Sequence, residues 1–222
     1  MIKNTIVCLL ALLLAAPTLA QNPIADKTKG MTKKEGYFNY YWDESKGTVW
    51  LEIDKLDQEF LYVNSLTAGV GSNDIGLDRG QLGNTRVVEF RRVGPKVLMV
   101  QPNYSYRAIS DNPNEVEAVK QAFAESVLHG FKVAAEADGK VLVDMTSFLL
   151  RDAHGVSGRL SGSRQGNYRM DANRSAVYPP MLKNFPKNSE FEATITFTGG
   201  ATGRYIRSVT PTPSAVTVRM HH

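Results

Sequence analysis

The hydrophobic pattern passes through three regimes along the chain. Ile6 to Ala16 is an unbroken apolar run, residues 21–36 are lysine-rich with few large apolar side chains, and from Tyr37 onward short aromatic and β-branched runs alternate with Gly, Asn, Asp and Pro. Such short runs between breakers predict strands joined by tight turns. Tyr37 to Trp42 and Thr48 to Ile53, separated by Asp43-Glu44-Ser45-Lys46-Gly47, predict a β-hairpin. Phe60 to Leu66 predicts a further strand, and Arg86 to Arg92 and Lys96 to Val100 predict a second hairpin across Val93-Gly94-Pro95. Glu190 to Thr198 alternates strictly, with Phe191, Ala193, Ile195 and Phe197 on one face, and predicts a half-buried strand. Arg204 to Val209 and Ala215 to Met220 read as a hairpin across Thr210-Pro211-Thr212-Pro213.

One segment has helical periodicity. Asn112 is placed to cap it, Pro113 suits the first helical position, and Glu115 completes a capping box. Val116, Val119, Phe123 and Val127 recur at intervals of three and four, and Gly130 supplies a stop, so the pattern predicts an amphipathic helix over about 113–129. Beyond it, Phe131 to Glu136 and Lys140 to Asp144 are short strand candidates. Asp144 to Leu150 predicts one capped helical turn, and Tyr178 to Lys183 predicts another. Residues 151–175, with Gly155, Gly158, Gly162 and Gly166, have no apolar period and read as a long irregular loop.

These elements define an α+β fold, mainly antiparallel β-sheet with one well-defined helix and short helical turns. The expected organisation is an export signal over 1–20, a flexible lysine-rich leader over 21–36, and a β-rich domain over 37–222. Lys3, the apolar run and the small residues Thr18 and Ala20 meet the requirements of a secretory signal, and eleven apolar residues are too few to span a bilayer. Cys8 sits near the start of the run after Val7, a poor position for lipidation. The mature chain is therefore expected outside the cytoplasm, periplasmic or extracellular.

Composition narrows the function classes. The chain has 222 residues and a net charge of +4, a thin basic excess that does not make the footprint of a nucleic-acid binder. A single cysteine rules out an intramolecular disulfide framework and any Cys-rich zinc knuckle. The four histidines, His129, His154, His221 and His222, form no His-Glu-x-x-His helix. On a strand His221 and His222 point to opposite faces and cannot share an ion. Asp152-Ala153-His154 offers two ligand types and no third. Ser157, Ser161 and Ser163 lack the Gly-x-Ser-x-Gly frame of a nucleophile elbow. The glycine-bearing stretch 69–83 lacks a Gly-Lys-Ser/Thr ending, so it reads as a wide connection with Asp78 and Arg79 pairing locally. Five arginines over 151–174 face two aspartates, and Arg151, Asp152, His154, Arg169, Asp171 and Arg174, together with Asp78 and Arg79 of the 69–83 stretch, are candidate contacts for substrate or for another protein surface.

Several motifs occur in a recognisable order. Gly76 to Gln81, Val87 to Gly94, Gln101-Pro102-Asn103-Tyr104, Phe148 to Gly155, Tyr168 to Ser175 and Phe185-Pro186-Lys187-Asn188 resemble the domain that precedes the zincin catalytic domain in large secreted bacterial zinc-dependent metalloproteases. The likeness spans roughly residues 36–222. It implies a non-catalytic domain that packs on or gates a catalytic domain of the same polypeptide, with a peptide or protein substrate. The zinc and its His-Glu-x-x-His helix are expected downstream, so the resemblance assigns no catalytic and no metal-ligating residue within these 222. It also implies that the strand containing His221-His222 continues into more sheet. The alternative is a free-standing cell-envelope module that holds a glycan or peptide through aromatics such as Trp42, Tyr104 and Tyr106.

Overall fold

Period-two alternation builds most of the molecule. A computed structural model describes residues 22–222; the expected export signal over 1–20 lies outside the described residues. Eleven strands form one antiparallel sheet: β1 (Thr32–Lys34), β2 (Tyr40–Asp43), β3 (Thr48–Ile53), β4 (Glu59–Ala68), β5 (Leu82–Val93), β6 (Lys96–Gln101), β7 (Ser126–Ala137), β8 (Lys140–Asp144), β9 (Gly166–Val177), β12 (Glu192–Ala201) and β13 (Ala215–His221). β10 (Lys183–Phe185) and β11 (Asn188–Glu190) make a separate hairpin. The spatial order in the sheet is β1-β2-β3-β8-β7-β6-β5-β4-β13-β12-β9. β4 therefore lies between β5 and β13, two strands far apart in sequence.

Two of the three predicted hairpins are present. β2 pairs with β3 from Asp43↔Thr48 inward, and Gly47 takes the positive φ (+65°) that the turn needs. β5 pairs with β6 from Val93↔Lys96, with Gly94 at φ +52°. Inward side chains of β2, β3 and β5 to β8 form a first core around Tyr40, Ile53, Phe90 and Phe131, joined by Phe148 of the short helix α3 (Thr146–Leu149). A second core holds Ile195 and Phe197 of β12 with Val216 and Met220 of β13. Each large apolar side chain buried this fully contributes about 1.5–3 kcal/mol of transfer free energy. The sheet curls, because Tyr40 on β2 packs on Phe191, just ahead of β12, at a ring distance of 4.8 Å. The β10–β11 hairpin staples the curl: Tyr37 N–H donates to Phe185 O (2.8 Å), Phe38 N–H to Ser189 Oγ (3.1 Å) and Asn184 Nδ2 to Phe38 O (2.7 Å).

Four expectations are corrected. The lysine-rich stretch is not a flexible leader over 22–35: it forms α1 (Pro23–Lys27), capped by Asn22 Oδ1, and then β1, which pairs with β2. Its fully buried apolar anchor, Ile24, packs against Tyr41 and Leu142, with Met31 partly buried beside them. Ile24→Ala is expected to cost about 2 kcal/mol by leaving that site unfilled, a loss that urea denaturation resolves; a free leader would show no change.

The second correction concerns the predicted helix over 113–129. α2 spans Pro113–Ala122, starts at the Asn112 cap as predicted, and buries no residue. At Phe123 the chain turns extended, and Val127 and Gly130 lie in β7, paired with β6 at Val100 and Leu98. Sheet pairing with β6 outweighs the three-and-four spacing, and Phe123 instead stacks on Tyr106 at 3.8 Å. Third, residues 151–175 are not a loop. They hold α4 (Val156–Gly162) and most of β9, and Val156 and Leu160, one helical turn apart, are fully buried in the second core. Fourth, the predicted strand over 204–209 is the helix α5 (Arg204–Val209), which turns Ile206 alone inward while Gln165 Oε1 accepts from Ile206 N–H at 3.0 Å.

Candidate functional site

The inner face of β4 carries two polar side chains in succession, Tyr62 and Asn64, both buried between the two cores. Each anchors a hydrogen-bonded chain of residues from distant parts of the sequence. Arg151, just after α3, donates from Nε to Phe148 O (3.0 Å) and from a terminal nitrogen to Tyr62 Oη (3.1 Å), with its guanidinium 4.2 Å over the Phe148 ring. Tyr62 Oη lies 2.7 Å from His222 Nδ1. A guanidinium only donates, so Tyr62 Oη accepts from Arg151 and gives its own proton to His222, which is then the Nε2-protonated tautomer. Burial drives the His222 imidazole down to about 3, and Arg151 and His221 push the same way. Burial raises the Tyr62 phenol, with Arg151 opposing. Both groups are thus neutral across the neutral range, whereas a general base is tuned toward the operating pH. The trio fastens β4, β13 and the segment after α3 together.

The second chain runs through Asn64, only 1% exposed. Its Oδ1 accepts from Arg86 (3.3 Å), and its Nδ2 faces His154 Nδ1 at 3.5 Å. His154 Nε2 donates to Gly76 O (3.2 Å), since a carbonyl can only accept. Burial lowers the His154 imidazole, with a smaller contribution from Arg159. Asp152 closes the arrangement by accepting from Val156 N–H (2.7 Å) and Ser157 N–H (2.9 Å), which caps α4. Gly76 has φ +66°, and a Cβ there would stand 2.0 Å from the Arg159 guanidinium. The positive φ is what favours glycine at this position.

The structure therefore brings Arg151, Asp152 and His154 together with β4 and sets the other candidates apart. Asp78 Oδ1 accepts from Arg79 N–H (2.7 Å), so that pairing is local but made through the backbone. Arg169 and Arg174 are exposed on β9, where Arg174 Nε lies 3.4 Å from Asp171. The five arginines do not form one strip. Arg159 donates to His154 O (3.1 Å), and Arg164 sits in a turn at φ +59°.

Sequence reading missed Tyr62, Asn64 and a third cluster on the opposite face of the sheet. There Glu192, 1% exposed, lies 3.4 Å from His221 Nδ1 and 3.8 Å from Arg219 Nε, and the Arg219 guanidinium stacks on the Tyr178 ring at 3.8 Å. His221 and His222 do point to opposite faces, as alternation requires. Among the described residues, no group of three His, Cys, Asp or Glu side chains is placed to hold a metal ion.

Beside Tyr62 and His222 a cavity of about 680 Å³ opens into the first core. Phe38, Phe60, Phe90 and Phe148 line its inner part, residues 187–191 form one wall, and His221 and His222 close one end.

Fold and site together define a curled antiparallel β domain in which chemistry-bearing side chains serve as internal ties around an apolar slot. By sequence the chain belongs to a family known as a domain of unknown function, DUF5117, which matches residues 80–222. A second domain of unknown function, DUF5118, matches residues 21–69. No curated protein and no solved structure matches the chain. The two matched segments interlock in space: residues 21–69 supply β4, which pairs with β5 and β13 of residues 80–222, and β3, which pairs with β8.

Proposed function

We propose that this chain is the N-terminal, non-catalytic part of an exported zinc-dependent metallopeptidase, packing on or gating the catalytic part during peptide hydrolysis. The observation that carries the reading is how the motif residues are used. Arg151, Asp152 and His154, the most chemistry-bearing stretch of the ordered motifs, are wholly engaged in holding β4, α4 and the 69–83 segment. They work as scaffold, as expected of a domain whose partner performs the reaction. Zinc, its ligands and the glutamate base would belong to that partner and would activate water for attack on the peptide bond.

The test is the polypeptide as its gene encodes it. It is expected to contain a His-Glu-x-x-His helix, to copurify with zinc, and to hydrolyse peptides in a chelator-sensitive way, while the 222-residue chain alone shows no hydrolysis. A gene product without that helix sinks the proposal. Selective binding of one glycan or peptide through Tyr104 and Tyr106, which are exposed beside a cleft of about 590 Å³, would then favour an envelope binding module.

A further inference from the structure

The cavity beside Tyr62 has the form of a vacant strand position. It is lined by Phe60, Leu61, Tyr62 and Val63, consecutive residues of β4 whose side chains alternate between the two faces of the sheet. Only the edge of a strand presents both sets at once. β5 covers the other edge of β4 from Glu59 to Val63, whereas β13 reaches β4 only at Ser65, Leu66 and Ala68. Among the described residues no strand pairs with Glu59 to Val63 on the β13 side.

Backbone directions agree. Leu66 spends both of its polar groups toward β5, donating to Gln81 O (3.0 Å) and accepting from Gly80 N–H (2.7 Å). By strand alternation Ser65, Val63 and Leu61 turn their N–H and C=O groups the other way, and β13 meets only Ser65 there. The far wall begins at Phe191, which exchanges two backbone hydrogen bonds with His222 (3.0 and 2.8 Å) and continues as Ser189 and Asn188. A strand entering between these walls runs antiparallel to β4 and in line with β13. Its inward side chains would meet Phe38, Phe60, Phe90 and Phe148, and its outward ones would cover Leu61 and Leu82, now 69% and 68% exposed.

We infer that this slot is a binding site for one extended peptide strand, supplied by the same polypeptide as a permanent part of the sheet rather than by a substrate. The commitment to a permanent strand rests on the core. An occupant here completes the first hydrophobic core and is flanked by chain on both sides, which is the environment of a central strand and not of a ligand that must leave. Apolar or β-branched residues at alternate positions are the chemistry that fits. The inference goes beyond the peptidase reading, since it needs only the strand and not a catalytic domain of any particular kind.

Hydrogen exchange read at single amides tests it, with Tyr62, already turned toward β5, as the internal standard. In the 222-residue chain the Leu61 and Val63 amides are expected to exchange quickly; in the complete gene product they are expected to slow by about 100-fold or more, to the level of a paired strand. A soluble octapeptide of alternating Val and Thr, closed by Lys at each end, is expected to slow the same two amides when added to the 222-residue chain. The inference is overturned if Leu61 and Val63 remain fast in the complete gene product. It is overturned equally if they slow only when a substrate peptide is added, for then the slot is a substrate site. Protection in a gene product that lacks a His-Glu-x-x-His helix would uphold the slot while removing the peptidase reading.

Discussion

Lowering the pH from 7 to 4 is expected to strip about 3 kcal/mol of stability from this fold through His222 alone. The sign is set by where the proton goes. In the folded chain the His222 imidazole is held down to about 3, first by burial and then by Arg151 and His221, and in the unfolded chain it returns to the ordinary histidine value of about 6.5. Between those two values the unfolded state binds a proton that the folded state refuses. Stability is therefore complete above the unfolded value and drains away as pH falls toward 3, by at most about 1.4 kcal/mol per pH unit. His129 and His154 are also lowered by burial and act in the same direction. Glu52 adds to the loss at the acid end. Burial by itself would raise its carboxyl, but hydrogen bonds from Tyr41, Lys140 and Asn39 outweigh that and hold it low. Urea denaturation at several pH values measures the slope directly. His222→Gln keeps an acceptor for Tyr62 Oη and cannot titrate, so the variant is expected to lose most of the slope between pH 6 and 4. An unchanged slope in that variant would show that His222 is not the group responsible.

The same residue marks how far sequence could reach. Adjacent histidines on a strand must face opposite sides, and that much was legible without a structure. What His222 meets was not, because its partner Tyr62 lies 160 residues earlier and nothing local in Phe60 to Leu66 separates a tyrosine that ties strands together from one that merely packs. The β12 alternation, with Ala193, Ile195 and Phe197 buried, was readable because period two marks a strand; that Glu192 and Thr196 on its other face are buried as well was not, since polar side chains there read as solvent-facing. The start of α2 was readable from its cap. Its end was not, since Phe123 and Val127 satisfy a helical spacing and a strand equally well, and only pairing with β6 decides between them. In 151–175 the glycines drowned a weaker signal, Asp152 as a cap ahead of Val156 and Leu160 one turn apart, which fixes α4. In 21–36 the lysines concealed one anchoring isoleucine. Arg151, Asp152 and His154 stood out as chemically capable, yet their use as ties depends on contacts with β4 and Gly76 that only folding creates.

Removing the guanidinium from Arg219 is expected to cost about 3 kcal/mol, the other large effect this fold should show. Glu192 is almost completely buried, and among the described residues its carboxylate has the Arg219 guanidinium at 3.8 Å and the His221 ring at 3.4 Å. Neither contact is a hydrogen bond, and Glu192 Oε2, Arg219 Nε and His221 Nδ1 are all buried without one. The carboxylate is therefore balanced by charge at close range rather than by hydrogen bonds, and desolvation leaves it little else. Arg219→Met preserves the aliphatic stem and a surface for Tyr178 to pack on but withdraws the charge, stranding Glu192. The penalty belongs at the low end of the usual range of about 3–5 kcal/mol for breaking a buried pair, because Arg219 is itself 37% exposed and water screens part of the attraction. Replacing both partners removes the problem: Glu192→Leu with Arg219→Met is expected to return to within about 1 kcal/mol of the parent chain, since a well-packed apolar pair is as good as a buried ionic one. The double-mutant cycle is read by urea denaturation at pH 7. If the two single losses simply add in the double variant, Glu192 and Arg219 are not energetically coupled and the 3.8 Å approach is incidental. A recovered double variant would mean that the ionic pair serves the β12–β13 junction by fixing its partners rather than by stabilising it, at the point where β13 leads toward the slot beside β4.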